Sequence, residues 1–453
     1  MKRDLKAAAL FLSVLAWPGL AAAATPQAGQ AGAYTTAFDY VVTFYPRWLS
    51  YYQAEIAPRN HLVGPERIGP LYHAVVAIND DTLYTSVFLD LTKEPVIVTV
   101  PSTADVYSVL HLDGYGNVLQ GIPSGQPGIY GLTGPQWTGT LPAGVIPVAL
   151  PFDNSLLIFR SDKYAVTGQD MRQEAEQFRR NLHAATLSDY LNNAAAGAAT
   201  ILPEVAFAVP FKGIADGMLA HLPVEFLRTL QTAVASPRTQ PPSPDEQALA
   251  DTFNTLFAEP KLRGQLAAGA QAAHGAIVSD YQARTVGSSG WVSFADIGAW
   301  DHSSQGYLDR SAVTEFLQYG NDHGAAVYFH AFADSAGAAL DGGAHTYVLR
   351  FAKDELPAVK RFWSLTAYTP DSIELVANDA DKYVVASYTP GLETASDGSV
   401  TIVLSAARPR GVAAANWLPL PRGRFNVMLR AYGPLGSVLD GSYVPPALLR
   451  TPP

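Results

Sequence analysis

The amino-acid sequence predicts a mainly β protein of the α+β class, in which a helical connector joins two related antiparallel β-sandwich or jelly-roll-like domains. The chain of 453 residues is too long for one ordinary hydrophobic core. Its 37 glycines and 33 prolines follow no collagen-like period and therefore indicate many turns between short strands. Short apolar runs fill two separate regions, and segments of helical period lie between them.

The first residues are typical of an export signal. MKRDLK is basic, AAALFLSVLAWPGL is apolar, and AAAAT offers small residues for cleavage near Ala23 or Ala24. The apolar run is shorter than the roughly 20 residues that cross a bilayer. Residues 1–24 are therefore predicted to be a signal peptide. The mature chain is expected to be a soluble periplasmic or secreted protein without a transmembrane segment.

The remaining segments are predicted in order along the chain. Aromatic residues at helical spacing predict a helix over 33–55, interrupted or kinked at Pro46. Strand-like runs follow, including VIVTVP at 96–101 and YSVLHLD at 107–113. Helices are then predicted over 168–193, 223–235, 245–257 and 306–322, and strands return between 327 and 434. The predicted domains are an N-terminal β domain with its leading helix (33–165), a helical connector (166–290), a C-terminal β domain (291–436) and a tail (437–453).

The two β regions read as divergent copies of one unit. The first contains QWTGTLPAG at 136–144 and then LLIFR at 156–160, and the second contains NWLPLPRG at 416–423 and then NVMLR at 426–430. A motif that occurs in both copies is interpreted as a feature of the fold, in which tryptophan closes an open end of the sandwich and arginine satisfies carbonyl groups or pairs internally. A ligand site is the alternative.

Several blocks of sequence carry a resemblance to known bacterial families. GYLDRSAV at 306–313, YVLRF at 347–351, LPAVKRFWSLTAY at 356–368, NWLPLP at 416–421 and MLRAYGP at 428–434 resemble domain-of-unknown-function family 1214. NDDTLYTSVFLDL at 79–91 and GPQWTGTLPAG at 134–144 resemble family 1254, its usual N-terminal partner. The resemblance covers about residues 35–436. It implies a two-domain, β-rich protein that is commonly exported, and it implies no reaction.

Composition and missing motifs exclude several classes of function. A net charge of −10 without a lysine and arginine stripe excludes nucleic acid as a partner. The absence of cysteine excludes disulfides, thiolate metal sites and a cysteine nucleophile. No Gly-x-Ser-x-Gly, His-Glu-x-x-His, P-loop or dinucleotide fingerprint occurs. No cofactor and no metal ion is therefore predicted, and His323 and His330 are not favoured as zinc ligands because their segment changes from helix to strand.

The first candidate site is a catalytic pair, His111 and Asp113. In a strand these residues share one face with Tyr107, so the carboxylate could hold an imidazole tautomer at the mouth of a sandwich. The alternative is a surface histidine and aspartate at a strand end. The second candidate is Asn79 to Asp81 before a strand, which favours turn chemistry over a calcium or sugar site.

The third candidate combines Tyr307, Asp309 and Arg310 with Trp363, Asn416 and Arg430. Aromatic rings beside an arginine suit a carboxylate, phosphate or sugar, and an internal ion pair is the alternative. The predicted ligand-binding residues are Tyr84, Tyr107, Tyr307, Arg310, Trp363, Asn416 and Arg430.

Three functional hypotheses remain open. The leading one is an exported envelope protein that binds or processes a small organic or glycan ligand, because 22 tyrosines and 7 tryptophans accompany a 48% hydrophobic composition. The second is a hydrolase that needs no cofactor, or only a weakly held metal, and uses His111 and Asp113. The third is a structural or assembly protein of the envelope, which the internal duplication supports. A homo-oligomer is compatible with each.

Overall fold

The computed structural model describes residues 28–192, 201–203 and 207–451. The predicted signal peptide lies outside these residues. The first described element is a long helix, α1 (Ala28–Ile56), which contains Pro46 and is buried on every side between Tyr40 and Leu49. Within the described parts of the chain, no helix combines the length and the apolar character that a membrane span requires.

The N-terminal domain is a sandwich of two sheets. Its strands are β1 (Leu62–Gly64), β2 (Thr82–Asp90), β3 (Val96–Val100), β4 (Tyr107–Leu112), β5 (Gly128–Thr133), β6 (Ile146–Ala149), β7 (Asn154–Asp162), β8 (His183–Thr186) and β9 (Leu202–Pro203). One sheet has the order β4-β7-β2-β1-β9 and the other β6-β5-β3-β8. Apolar side chains of both sheets form one core, which the helix α2 (Arg172–Asn181) covers through Phe178.

The predicted helix over 168–193 is interrupted in the structure. After α2 the chain forms β8, which pairs antiparallel with β3, and then a short helix α3 (Leu187–Asn192). Strand pairing over His183 to Thr186 therefore prevails over the helical pattern of charges, because β3 otherwise has no partner on that side.

A helical layer lies beside the sandwiches. Besides α1 it consists of α4 (Phe211–His221), α5 (Pro223–Ala235), α6 (Pro244–Phe257), a 3-10 turn (Pro260–Leu262), α7 (Arg263–Ala283) and α8 (Ser304–Leu317). A capping box between Ser243 and Glu246 and a proline in the first turn fix the start of α6. α1 packs against α5, α6, α7 and α8, so it is the central helix of this layer.

The C-terminal domain is a second sandwich of two sheets. Its elements are β10 (Thr285–Val286), β11 (Trp291–Val292), β12 (Ala326–Ala331), β13 (Tyr347–Phe351), β14 (Val359–Tyr368), β15 (Val384–Ala386), β16 (Val400–Ser405), β17 (Trp417–Pro419), β18 (Asn426–Pro434), α9 (Gly436–Leu439) and β19 (Leu449–Arg450). The sheets have the orders β10-β11-β12-β18-β14-β15 and β17-β16-β13-β19.

The two sandwiches share one strand topology. The order β4-β7-β2 in the first equals β14-β18-β12 in the second, and β6-β5-β3 equals β17-β16-β13. In both copies the pair β5–β6 or β16–β17 is parallel, whereas the neighbouring pairs are antiparallel. The prediction of two related, mainly antiparallel β-sandwich domains is confirmed.

The Trp and Leu-Pro-x-Gly motifs occupy different places in the two copies. In the first, Leu141 to Gly144 precede the parallel strand β6, and Trp137 lies in the turn before them. In the second, Trp417 begins the parallel strand β17, and Leu420 to Gly423 follow it. The final strands and their arginines are the parts of the repeat that occupy equivalent positions.

Candidate functional site

A cavity lies between the two sandwiches, and we call it the inter-domain cavity. Its atom-free volume is about 660 Å³, open solvent included. β2 and β7 of the first sandwich line it with Tyr84 and Arg160, and β12 and β18 of the second line it with Tyr328 and Arg430. The equivalent strands of both copies thus contribute a tyrosine and an arginine to the same cavity.

Arg160 is held by the C-terminal domain. Its guanidinium donates hydrogen bonds to the side-chain oxygen of Asn321 and, over 3.3 Å, to the carbonyl of Tyr319. The guanidinium carbon lies 5.6 Å from the ring centroid of Tyr84. Its Nε has no hydrogen-bond partner among the described residues, although Arg160 is only 5% exposed.

Arg430 is held by the N-terminal domain. Its Nη2 donates to the carbonyl of Ala77, and its guanidinium carbon lies 5.5 Å from the ring centroid of Tyr368. Arg430 is 2% exposed, and no described residue accepts a hydrogen bond from its Nη1. Each arginine lines the inter-domain cavity, contacts the opposite domain and has one buried nitrogen without a hydrogen-bond partner among the described residues.

The strand register places the two arginines at equivalent positions. Arg160 pairs with Tyr84 on one side and Ser108 on the other. Arg430 pairs with Tyr328 and with a serine, Ser364, in the same arrangement. The duplication has therefore produced one arginine per domain at the same place in the fold.

The loops that receive the arginines are also related. Ala77, before β2, and Gln318, before β12, both have left-handed backbone conformations, with φ of 52° and 59°. An asparagine follows in each loop: Asn79 accepts a hydrogen bond from the hydroxyl of Tyr84 at 2.8 Å, and the backbone N–H of Asn321 donates to the hydroxyl of Tyr328 at 3.0 Å. Left-handed residues outside glycine are uncommon and mark positions that the surrounding structure holds in place.

Neither guanidinium group has an ion-pair partner in the part of the chain that the structure describes. Within the described residues, no carboxylate lies within 4.0 Å of Arg160 or Arg430. Asp81, whose charge acts on Arg430, accepts hydrogen bonds from Ser364 at 2.7 Å and from Tyr388. Burial raises the pKa of Asp81, and the two hydrogen bonds, which lower it, offset only part of this rise. Since arginine keeps its charge in proteins and a buried charge is costly without a counter-charge, the cavity is suited to an anion.

His111 and Asp113 have separate partners. The Nε2 of His111 lies 2.8 Å from the hydroxyl of Ser155, its Nδ1 has no partner and faces Gly121, and burial lowers the pKa of the imidazole to about 4. Asp113 follows the end of β4 and accepts backbone hydrogen bonds from Tyr115 at 2.8 Å and from residue 117 at 2.9 Å. Neither side chain lines the inter-domain cavity.

Tyr107 and Trp363 lie at equivalent positions, one residue before the serine that faces each arginine. Both are buried in the core of their own sandwich. The ring of Tyr107 stacks on Phe178 with 4.4 Å between centroids, and Trp363 lies 5.6 Å from Phe351.

Asn416 joins two segments of the C-terminal sandwich. It accepts from the backbone N–H of Glu393 at 2.8 Å and donates to the carbonyls of Glu393 and Thr401 at 2.9 and 3.0 Å. These bonds use its amide group within the sandwich, away from the inter-domain cavity.

Tyr307 and Arg310 belong to the helical layer. The guanidinium of Arg310 lies between the rings of Tyr115 and Tyr307, at 4.3 and 4.8 Å from their centroids, and donates to the carbonyl of Thr43 at 2.5 Å. Asp309 pairs with Arg284 instead. Of the predicted ligand-binding residues, the structure therefore brings Tyr84 and Arg430 together and places the other five elsewhere.

One group in the helical layer has the composition of a metal site. Side-chain atoms of Asp216, His274 and Glu315 lie within 4.8 Å of one another. The ammonium of Lys212 pairs with both carboxylates, and the hydroxyl of Tyr45 donates to Glu315. The cluster therefore supplies its own cations, which leaves its carboxylates engaged.

Arg160 is not among the site residues predicted from the sequence, although the predicted strand LLIFR contains it. The signal was the repeat itself: LLIFR and NVMLR each place an arginine in the last strand of a copy. What the sequence does not contain is the contact of Arg160 with Asn321, 161 residues away along the chain.

Comparisons with known proteins agree with this architecture. Residues 59–186 match the model of a protein family of unknown function, DUF1254, and residues 325–436 match a second one, DUF1214. Among solved structures, the chain is similar to the VPA0106 protein from Vibrio parahaemolyticus, with 22% identity, a TM-score of 0.59, and coverage of 93% of this chain and 100% of that chain. It is also similar to an uncharacterised protein from Burkholderia cenocepacia, with 15% identity, a TM-score of 0.44, and coverage of 94% and 96%.

The search among curated proteins found no match. The likeness to the Vibrio protein shows the fold alone, and the two family matches confirm the resemblance that the sequence blocks indicated. The chain therefore matches DUF1254 within its N-terminal half and DUF1214 within its C-terminal half.

Proposed function

We propose that this protein binds a small organic anion in the inter-domain cavity. The observation that carries the proposal is the convergence of two buried guanidinium groups, each with an unpartnered N–H and neither with a carboxylate partner among the described residues. A buried charged donor without a partner is strongly disfavoured, and an anion would satisfy both its charge and its hydrogen bond.

The remaining lining suits an organic molecule better than an inorganic ion. Phe88, Leu156 and Ile158 contribute apolar surface, while tyrosine and asparagine side chains contribute polar groups. Binding sites for small molecules commonly combine apolar walls with a few placed polar groups. A neutral glycan would use the tyrosine rings but would give neither arginine an anionic hydrogen-bond partner, so the two guanidinium groups favour an organic anion.

The hydrolase hypothesis remains a separate proposal with weaker support. His111 contacts the hydroxyl of Ser155, whereas Asp113 accepts from the backbone of residues 115 and 117, so the carboxylate does not orient the imidazole. Unchanged turnover of a test ester in His111→Ala would eliminate the pair as catalytic.

Export to the periplasm or the medium is also a proposal, and the basic and apolar segments of residues 1–24 support it. Fractionation of expressing cells and N-terminal sequencing of the purified protein test it. We expect a mature N-terminus near residue 24. A full-length N-terminus on protein from the cytoplasm would contradict export.

The binding proposal is tested by calorimetric titration of the purified protein with small carboxylates and organic phosphates. We expect at least one organic anion to bind, and Arg160→Gln and Arg430→Gln each to weaken it by at least tenfold. Arg350→Gln is the matched control, since Arg350 is exposed on the C-terminal sandwich and pairs with Asp397. Equal affinities in all three variants would place binding outside the cavity.

A further inference from the structure

If the inter-domain cavity binds an organic anion as proposed above, its internal symmetry bears on the charge of that anion. Arg160 and Arg430 occupy equivalent positions on equivalent strands, beside Tyr84 and Tyr328 in register. Each guanidinium is anchored to the loop before the first long strand of the opposite domain. The cavity is therefore built from two half-sites, which we define as the arginine half-sites of Arg160 and Arg430.

The two half-sites have separate anchors. Arg160 donates hydrogen bonds to Asn321 and to the carbonyl of Tyr319, which follow α8, whereas Arg430 donates to the carbonyl of Ala77, which precedes β2. Tyr84 interacts with both arginines. Its ring faces the guanidinium of Arg160, and the charges of Arg160 and Arg430 both act on its hydroxyl. Each guanidinium has one fully buried nitrogen without a hydrogen-bond partner among the described residues, Nε of Arg160 and Nη1 of Arg430.

We infer that the ligand carries two anionic groups, one for each arginine half-site, joined by a short apolar segment, as in a linear dicarboxylate. A ligand with a single anionic group would accept from one buried guanidinium and leave the unpartnered nitrogen of the other without an acceptor. The apolar walls at Phe88, Leu156 and Ile158 would then contact the hydrocarbon segment between the charged ends.

The test compares matched pairs of ligands by calorimetric titration of the whole mature protein. Succinate, glutarate and adipate are the dicarboxylates, and butyrate, pentanoate and hexanoate are the monocarboxylates of equal chain length. We expect the best dicarboxylate to bind at least about tenfold more tightly than its monocarboxylate partner. Arg160→Gln and Arg430→Gln should each reduce the dicarboxylate to the affinity of the monocarboxylate.

Variants that keep the charge show whether a loss of affinity comes from the anion contact or from the fold. Arg160→Lys and Arg430→Lys retain a cation without the guanidinium fork and should bind the dicarboxylate more tightly than the glutamine variants do. All variants are compared by near-ultraviolet circular dichroism before titration. If a glutamine variant loses the spectrum, the lysine variant at the same position is titrated in its place. It should bind the dicarboxylate more weakly than wild type, because the guanidinium fork is missing. An affinity equal to that of wild type would contradict the inference.

The outcomes separate this inference from the proposed function. If monocarboxylates bind as tightly as dicarboxylates and both arginine variants weaken them, one anion is shared by the two arginines, and the inference is overturned while the proposed function stands. If none of the carboxylates or organic phosphates binds, the proposed function fails and the inference fails with it.

Discussion

Replacing Arg160 by glutamine isolates the contribution of one half-site to ligand binding. Two N–H groups of this guanidinium donate to Asn321 and Tyr319, and the buried Nε has no partner among the described residues. We therefore expect the ligand to gain one charge-assisted hydrogen bond from Nε. Such a bond contributes about 1.5–3 kcal/mol, and its loss should raise the Kd by roughly 10- to 150-fold.

The same loss has a defined effect on stability in the presence of ligand. At a ligand concentration of about 100 times the wild-type Kd, binding should raise the free energy of unfolding by about 2.7 kcal/mol. A Kd about 30-fold higher would leave about 0.9 kcal/mol of this stabilisation at the same concentration. The measurement is urea unfolding of wild type and variant, with and without the best-binding dicarboxylate.

The control and the contradicting result follow from the exposed arginines. Arg350→Gln should retain the full stabilisation by ligand, because Arg350 lies outside the cavity and pairs with Asp397. If the Arg160 variant is stabilised as much as wild type, the ligand does not contact Arg160, and the reasoning from its unpartnered donor is refuted.

Three further predictions concern stability. Burial opposes protonation of His274, but its two carboxylate partners outweigh burial and raise its pKa to about 9. The charged histidine should therefore stabilise the fold fully below pH 6.5, and this stabilisation should be lost as the pH rises through about 9. Urea unfolding across this range should show a smaller pH dependence in His274→Gln than in wild type, and an equal pH dependence would contradict the assignment. Burial and the charge of Asp162 raise the pKa of Asp105 to about 7, so ionisation of Asp105 should destabilise the fold as the pH rises from 3.8 through about 7. Asp105→Asn should therefore raise the Tm more at pH 8 than at pH 4. An equal rise at both pH values would refute the destabilising role of the Asp105 charge. Gly121→Ala would place its Cβ 3.1 Å from Cγ of His111, and this overpacking should lower the free energy of unfolding by about 1–3 kcal/mol. Gly217→Ala is the control, because its Cβ would have no atom within 4 Å, and it should be neutral or stabilising. Equal Tm values for the two variants would contradict the close packing at Gly121.

The fold was predictable because its signals are local. Alternation in YSVLHLD and the apolar run in VIVTVP predict strands, and both form them as β4 and β3. The repeated order of such segments predicted a duplicated sandwich. The motif comparison misaligned the parallel strands, because the Leu-Pro-x-Gly turn precedes β6 in one copy and follows β17 in the other.

The candidate site was only partly predictable because it is made by contacts between domains. Tyr84 and Arg430 were selected as aromatic and arginine candidates, but no local pattern indicates that Arg430 reaches the carbonyl of Ala77 across 353 residues. Tyr107 and Trp363 carry the same residue chemistry and are core side chains. The orientation of a strand face toward its own core or toward the other domain distinguishes the two groups.

A crystal structure of the protein grown with its best-binding dicarboxylate tests the account most directly. We expect the ligand in the inter-domain cavity, with one carboxylate within hydrogen-bond distance of Nε of Arg160 and the other within that distance of Nη1 of Arg430. A ligand bound at another surface, with both donors still unpartnered, would contradict the account.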